Sequence, residues 1–225
     1  MSDGDVAARG LALPKAVLFD WDNTLADNWA VVHAALTAAQ QAMGHAPWNL
    51  DQTRQRVRRS LRDSFPEMFG SRWEEARDIF YRTFEARHLE FLRPRPGAGE
   101  LLAAVAERGV YQAVVSNKTG RLLRAEAAHL SWDGYFGAVI GANDAAADKP
   151  DPAPVDMALA PSGIARGKDV WFVGDTVVDL ECATEAGCPG ILIRDEPPRP
   201  GEFDHCRPVL HVAGCAALHR LLERL

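Results

Sequence analysis

The chain has 225 residues and a mass of 24.6 kDa, room for one large domain or for one domain that carries an insert. With 47% hydrophobic and 25% charged residues it has the makeup of a globular protein, which excludes the disordered, collagen-like and disulfide-scaffold classes. A net charge of −6 argues against a partner made of bulk nucleic acid, and no run of about 18 uncharged apolar residues offers a membrane span.

A chain of this length buries roughly 70–75% of its unfolded surface and needs no covalent staples. The opening stretch, MSDGDVAARG, has no basic region followed by an apolar run, so the expectation is a cytoplasmic protein without a secretory leader. The four cysteines, Cys182, Cys188, Cys206 and Cys215, read as reduced thiols packed like small hydrophobes. His205, Cys206, His211 and Cys215 are the one set that could collect zinc, but zinc ligands ordinarily come in pairs about two to five residues apart. The cationic residues are mostly arginine: lysine occurs only as Lys15, Lys118, Lys149 and Lys168.

In chain order, Ala16–Asp20 is a short apolar burst that predicts a strand. From Asn28 to Arg93 no strand signal follows. The apolar spacing instead predicts three helices, Asn28–Met43, Asp51–Asp63 and Arg72–Phe91, the first with Val31, Ala34, Ala35 and Ala38 on one face. Leu92–Gly97, rich in proline and arginine, reads as a stiff return linker. Beyond it, helices predicted at Glu100–Arg108, Gly120–Leu130, Pro152–Leu159, Val178–Ala186 and Gly214–Leu225 alternate with further apolar bursts. Those bursts are Tyr111–Ser116, Ala138–Ile140, Val170–Gly174, Gly190–Ile193 and Val209–Val212. Continuous rather than alternating hydrophobicity suits strands covered on both faces of a parallel sheet. The expectation is an α/β fold, a doubly wound parallel-sheet core over residues 1–27 and 96–225, with an all-helical insert over 28–95.

Four segments that could do chemistry each follow a predicted strand, where ligands bind in open parallel sheets. Asp20-Trp-Asp22-Asn-Thr24 carries two carboxylates two residues apart as the chain leaves a strand. Side by side they repel by roughly 4 kcal/mol at an effective dielectric near 20, which a cation or a proton must resolve. Taken alone, the segment reads equally as a polar turn capping the next helix. Gly174-Asp175-Thr-Val-Val-Asp179 supplies a second acidic pair, and four carboxylates at one sheet edge would suit a hard divalent ion. Ser116-Asn117-Lys118 brings a hydroxyl, an amide and backbone N–H groups, a natural anion cradle. Asp148-Lys149-Pro150 brings one of the scarce lysines. Singly, each lysine reads as a solvated loop residue; jointly, the four segments hold what phosphoryl transfer needs.

These segments resemble the four ordered motifs of the haloacid dehalogenase (HAD) superfamily, and the likeness runs from Ala16 to about Ile193. The helical insert is similar to the cap of subfamily I, the phosphoglycolate-phosphatase-like group. Asn23 departs from the pattern, where many relatives carry glycine. The resemblance implies that Asp20 attacks phosphorus to form an aspartyl phosphate, and that Asp22 protonates the leaving alcohol and then activates water. It implies Mg²⁺ held by Asp20, the Asp22 backbone carbonyl, Asp175 and Asp179. It further implies phosphoryl oxygens oriented by Thr24, Ser116 and Asn117, and negative charge offset by Lys149.

Asp22 distinguishes a phosphoryl-transfer member from a dehalogenase, which has no alkoxide to protonate. Trp21 resembles the phosphonoacetaldehyde hydrolases, but they need a cap lysine and this insert has none. The reading is therefore a Mg²⁺-dependent phosphatase of a small phosphorylated metabolite, a monomer or homodimer, with phosphoglycolate, a phosphosugar or a nucleotide as substrate. Two alternatives stay open: a phosphomutase similar to β-phosphoglucomutase, and a non-catalytic regulatory protein on the same scaffold. In the insert, Arg54, Arg56, Arg58, Arg59 and Arg62 could grip a substrate anion but read more readily as a solvated face. Trp29, Trp48 and Trp73 read chiefly as packing residues.

Overall fold

The computed structural model describes residues 11–57 and 61–225, the side chains of 61–63 excepted. The chain divides into two compact units, one of residues Met1–Ala26 and Pro94–Leu225, the other of Asp27–Arg93.

In the first unit, β1 (Ala16–Phe19), β4 (Tyr111–Thr119), β5 (Ala138–Ala142), β6 (Val170–Gly174), β7 (Gly190–Ile193) and β8 (Leu210–Val212) form a sheet in the order β5-β4-β1-β6-β7-β8. Every neighbouring pair is parallel. Helices α5 (Ala98–Glu107), α6 (Gly120–His129), α7 (Ala153–Leu159), α8 (Val177–Glu185) and α9 (Cys215–Leu222) intervene along the chain. All four residues of β1, AVLF, are buried, as continuous hydrophobicity requires of a strand covered on both faces. Leu18, Val115, Phe172, Val155 and Cys182 meet in one core cluster that joins β1, β4 and β6 to α7 and α8.

The strand order reverses around β1: β4 and β5 lie on one side of it, and β6, β7 and β8 on the other. Such a reversal opens a crevice at the carboxyl ends of the strands flanking it. Here these are the ends of β1, β4 and β6. At its own end β4 is irregular, since Val115 faces Ile140 but Thr119 faces Ala142. Four residues of β4 thus advance against two of β5, and the strand runs past the expected end at Ser116 to Thr119. The shifted stretch holds Ser116, Asn117 and Lys118.

In the second unit, the described residues form four helices: α1 (Trp29–Ala42), α2 (Leu50–Arg56), α3 (Leu61–Phe69) and α4 (Trp73–Phe91). The single helix expected over Asp51–Asp63 is two. Asn49 and Gln52 make a capping box that starts α2, which stops at Arg56. A proline ordinarily ends or bends a helix, yet α3 continues through Pro66. Phe65 and Phe69, four apart and so on one face, both bury in a cluster with Leu36, Ala39, Ala76 and Phe80. The Phe65 ring meets Phe69 and Phe80 edge-on at 5.2 and 5.6 Å. Trp48 and Trp73 pack partly buried against the same cluster. Arg56 stacks on the Trp48 ring at 4.8 Å, and Arg54 lies 3.8 Å from Asp27, so both have neighbours within this unit. Arg58, Arg59 and the side chain of Arg62 lie outside the described residues.

Two two-residue strands absent from the sequence reading, β2 (Ala26–Asp27) and β3 (Arg93–Pro94), pair where the chain passes between the units. Among the described residues no helix is long and apolar enough to cross a membrane.

Leu18→Ala, at a fully buried position in the middle of the sheet, is expected to cost about 2–5 kcal/mol of folding stability in chemical denaturation.

Candidate active site

Asp20 is the first residue beyond β1, and its N–H is held by the Val173 carbonyl of β6 at 2.8 Å. The chain then turns tightly: the Trp21 carbonyl accepts from the N–H groups of Thr24, Leu25 and Ala26 at 3.3, 3.0 and 3.0 Å. The turn requires a left-handed residue at position 23, where φ is +63°. Asparagine adopts that conformation more readily than most non-glycine residues, which suits Asn23 to this turn.

The centre of the site is Lys149. Its Nζ donates to Asp20 Oδ1 and to Asp179 Oδ1, both at 2.7 Å, and all three side chains are almost wholly buried. The other Asp179 oxygen accepts from Thr176 N at 3.0 Å and Thr176 Oγ1 at 2.7 Å, the capping box that starts α8. Asp179 thus ties a helix N-terminus to the lysine. Gly174 makes this possible by its lack of a side chain: a Cβ there would sit 2.3 Å from Asp179 Cβ and 2.6 Å from Oδ2.

Asp20, Asp175 and Asp179 can each offer an oxygen so that the three lie within 4.8 Å of one another. Three carboxylates beside one ammonium leave an excess of negative charge in a desolvated place. Burial pushes the Asp20 carboxyl up to about 6, with Lys149 opposing and the charges of Asp179 and Asp22 adding to the rise. Burial, joined by the charges of Asp20 and Asp179, likewise holds Asp175 well above the usual carboxylate range. Burial disfavours the Lys149 ammonium, but Asp179 and Asp20 outweigh it and keep the lysine charged beyond its ordinary range. An all-oxygen, over-charged donor set is what a hard divalent cation fits. Among the described residues His205, Cys206, His211 and Cys215 form no such group: His211 Nε2 sits 2.8 Å from the Arg194 carbonyl, and Cys215 Sγ donates to the Thr24 carbonyl.

The other expected site residues divide. Asp22 stands apart from the three-carboxylate group, with Oδ1 accepting from Lys118 Nζ at 2.8 Å. Ser116 is buried, and its Oγ accepts from the Lys118 N–H at 3.3 Å. The Asn117 carboxamide grips the Lys149 backbone both ways, Nδ2 donating to its carbonyl and Oδ1 accepting from its N–H, each at 2.9 Å. Asn117 therefore fixes the loop from which Lys149 reaches in. Thr24 is buried, and its Oγ1 finds no hydrogen-bond partner among the described residues.

The sequence marks Lys118 only as a scarce strand-end cation and gives no role to Glu126 or Trp21. Lys118 Nζ donates to Glu126 Oε2 at 2.7 Å as well as to Asp22, and Trp21 Nε1 donates to the same Glu126 oxygen at 2.6 Å. The signal was present in α6, where Glu126 falls on the buried face formed by Leu122, Leu123 and Ala127. A glutamate on an apolar stripe is almost always paired.

Residues 17–193 match the haloacid dehalogenase-like hydrolase family. A phosphoglycolate phosphatase of Pectobacterium atrosepticum is 34% identical over 195 residues, 81% of this chain and 78% of that one. One from Xylella fastidiosa is 31% identical over 187 residues, 81% of each chain. Among solved structures, a HAD-superfamily hydrolase of Ehrlichia chaffeensis superposes with a TM-score of 0.67 at 29% identity, covering 96% of this chain and 99% of its own. A haloacid dehalogenase-like protein of Streptococcus pneumoniae shares the fold with a TM-score of 0.77 at 21% identity, covering 93% of this chain and 95% of its own. The chain belongs to the haloacid dehalogenase-like hydrolase family.

Two outcomes are expected here. Gly174→Ala displaces the Asp179 carboxylate and weakens divalent-cation binding about tenfold or more, read by calorimetric titration. In metal-free protein, Asp20 binds its proton more tightly folded than unfolded. Its contribution is therefore complete below about pH 4 and lost as pH rises through about 6. Urea midpoints across that range should fall more steeply for the wild type than for Asp20→Asn.

Proposed function

We propose that this protein is a Mg²⁺-dependent phosphatase that hydrolyses a small phosphate monoester through an aspartyl phosphate on Asp20. The observation that carries the reading is the Lys149 ammonium placed 2.7 Å from both Asp20 and Asp179, beside Asp175 at the sheet's carboxyl edge. An anionic nucleophile meets an anionic phosphate only where fixed positive charge offsets the repulsion. Asp20, Asp175 and Asp179 supply the side-chain oxygens that would hold the ion, with the Asp22 backbone carbonyl completing the set on the protein side. When bound, Mg²⁺ supplies charge neutralisation between the carboxylates and the phosphoryl oxygens.

The chain's own residues do the rest. An Asp20 oxygen attacks phosphorus as the bond to the leaving oxygen breaks, and Asp22 gives that oxygen its proton. Asp22, now a carboxylate, takes a proton from water, which attacks phosphorus in turn; inorganic phosphate leaves and the Asp20 carboxylate is regenerated. Lys149, held by Asp179 and by Asp20, offsets the negative charge of the phosphoryl group. The buried Ser116 and Thr24 hydroxyls orient phosphoryl oxygens, and Thr24 Oγ1 has hydrogen-bonding capacity to spare. Asn117 acts by holding the backbone of Lys149 in place.

The curated relatives named phosphoglycolate phosphatase, about a third identical over four-fifths of both chains, make phosphoglycolate the first substrate to try. Phosphate release from phosphoglycolate and p-nitrophenyl phosphate, with Mg²⁺ and with EDTA, tests the reading. Metal-dependent release is expected, and release unaffected by EDTA would overturn the metal requirement. Asp20→Asn should keep the fold and lower turnover about a thousandfold or more, while substantial residual turnover would remove Asp20 as the attacking group.

A further inference from the structure

Glu126 is wholly buried on α6 and reaches Asp22 through Lys118, whose own side chain is only 4% exposed. The chain of contacts is short and directional. Trp21 Nε1 and Lys118 Nζ both donate to Glu126 Oε2, at 2.6 and 2.7 Å, and Lys118 Nζ donates onward to Asp22 Oδ1 at 2.8 Å. Trp21 is itself clamped, its ring meeting Trp132 edge-on at 5.9 Å and Phe136 at 6.4 Å. Asp22, by contrast, lies in a turn with its side chain 39% exposed.

Buried charge is a poor way to stabilise a fold, because well-packed apolar residues of similar size do as well or better. A buried glutamate and lysine that end on a half-exposed carboxylate beside Asp20 therefore need another reason. A carboxyl group that must deliver a proton to a leaving oxygen has to be held in one place, and small misplacements are costly. We infer that Glu126, braced by Trp21 and acting through Lys118, is a positioning residue that aims the Asp22 carboxyl at the leaving-group oxygen. The inference rests on the phosphatase reading and adds to it a residue of α6 that lies outside the four segments.

Leaving groups test it. An alkoxide, as from phosphoglycolate, needs a proton to depart; p-nitrophenolate does not. In the full-length protein, Glu126→Gln keeps the shape and removes the charge that anchors Lys118. kcat/KM for phosphoglycolate is expected to fall about tenfold more than kcat/KM for p-nitrophenyl phosphate, since a positioned acid contributes roughly 10²–10⁴-fold to alkyl-ester chemistry. Trp21→Phe keeps most of the packing, deletes the Nε1 donor and should shift the same ratio in the same direction by less. It carries the comparison if thermal unfolding shows that Glu126→Gln does not fold. Equal losses on both substrates would mean the network merely supports the fold, and unchanged rates on both would mean Asp22 is held without Glu126. Either result overturns the inference and leaves the phosphatase reading standing. A wild-type protein that hydrolyses neither substrate removes the phosphatase reading, and the inference falls with it.

Discussion

The ammonium of Lys149 between the carboxylates of Asp20 and Asp179 is the contact on which the site is built. Those three side chains come from three distant parts of the chain, and each would be costly to bury alone. Together they offset one another's charge at the carboxyl edge of the sheet, where Asp175 completes an acidic cluster. Removing Lys149 would cost about 3–5 kcal/mol, because two buried carboxylates would be stranded. The site and the local fold are therefore one structure, and the groups proposed to do chemistry also tie β1, the Lys149 loop and the start of α8 to one another.

The backbone around this contact is shaped to keep it. A left-handed Asn23 turns the chain sharply after Asp20, a glycine at the end of β6 lets Asp179 approach, and Asn117 clasps the Lys149 backbone. The irregular end of β4 sets Ser116, Asn117 and Lys118 out of the regular ladder, where their polar groups can serve the site. Each device acts on position, which is what an electrostatic site needs most, since its interactions weaken quickly with distance and with water.

A second ionic group stands beside the first. Lys149 balances Asp20 and Asp179, and Lys118 balances Asp22 and Glu126. Two of the chain's four lysines are thus buried, each between two carboxylates. Each compact ammonium turns its rotatable donors to two carboxylates at once.

Much of this was legible in the sequence. Continuous apolar runs such as AVLF and VWFVG marked strands buried on both faces, and the acidic, hydroxyl and lysine residues after them marked the sheet edge. These features are local, because side-chain period and strand-end position depend only on neighbouring residues. What depends on contact across the chain was not legible. The course of α3 through Pro66 goes with the burial of Phe65 and Phe69 on one face, in a cluster that other helices complete. The grip of Asn117 on Lys149 and the reach of Glu126 through Lys118 to Asp22 follow from packing that brings positions 32 and 104 residues apart together. The residues by themselves determined which chemistry the chain could assemble; only tertiary packing decided which charge would face which, since a buried ion is stable only beside the partner that folding places next to it.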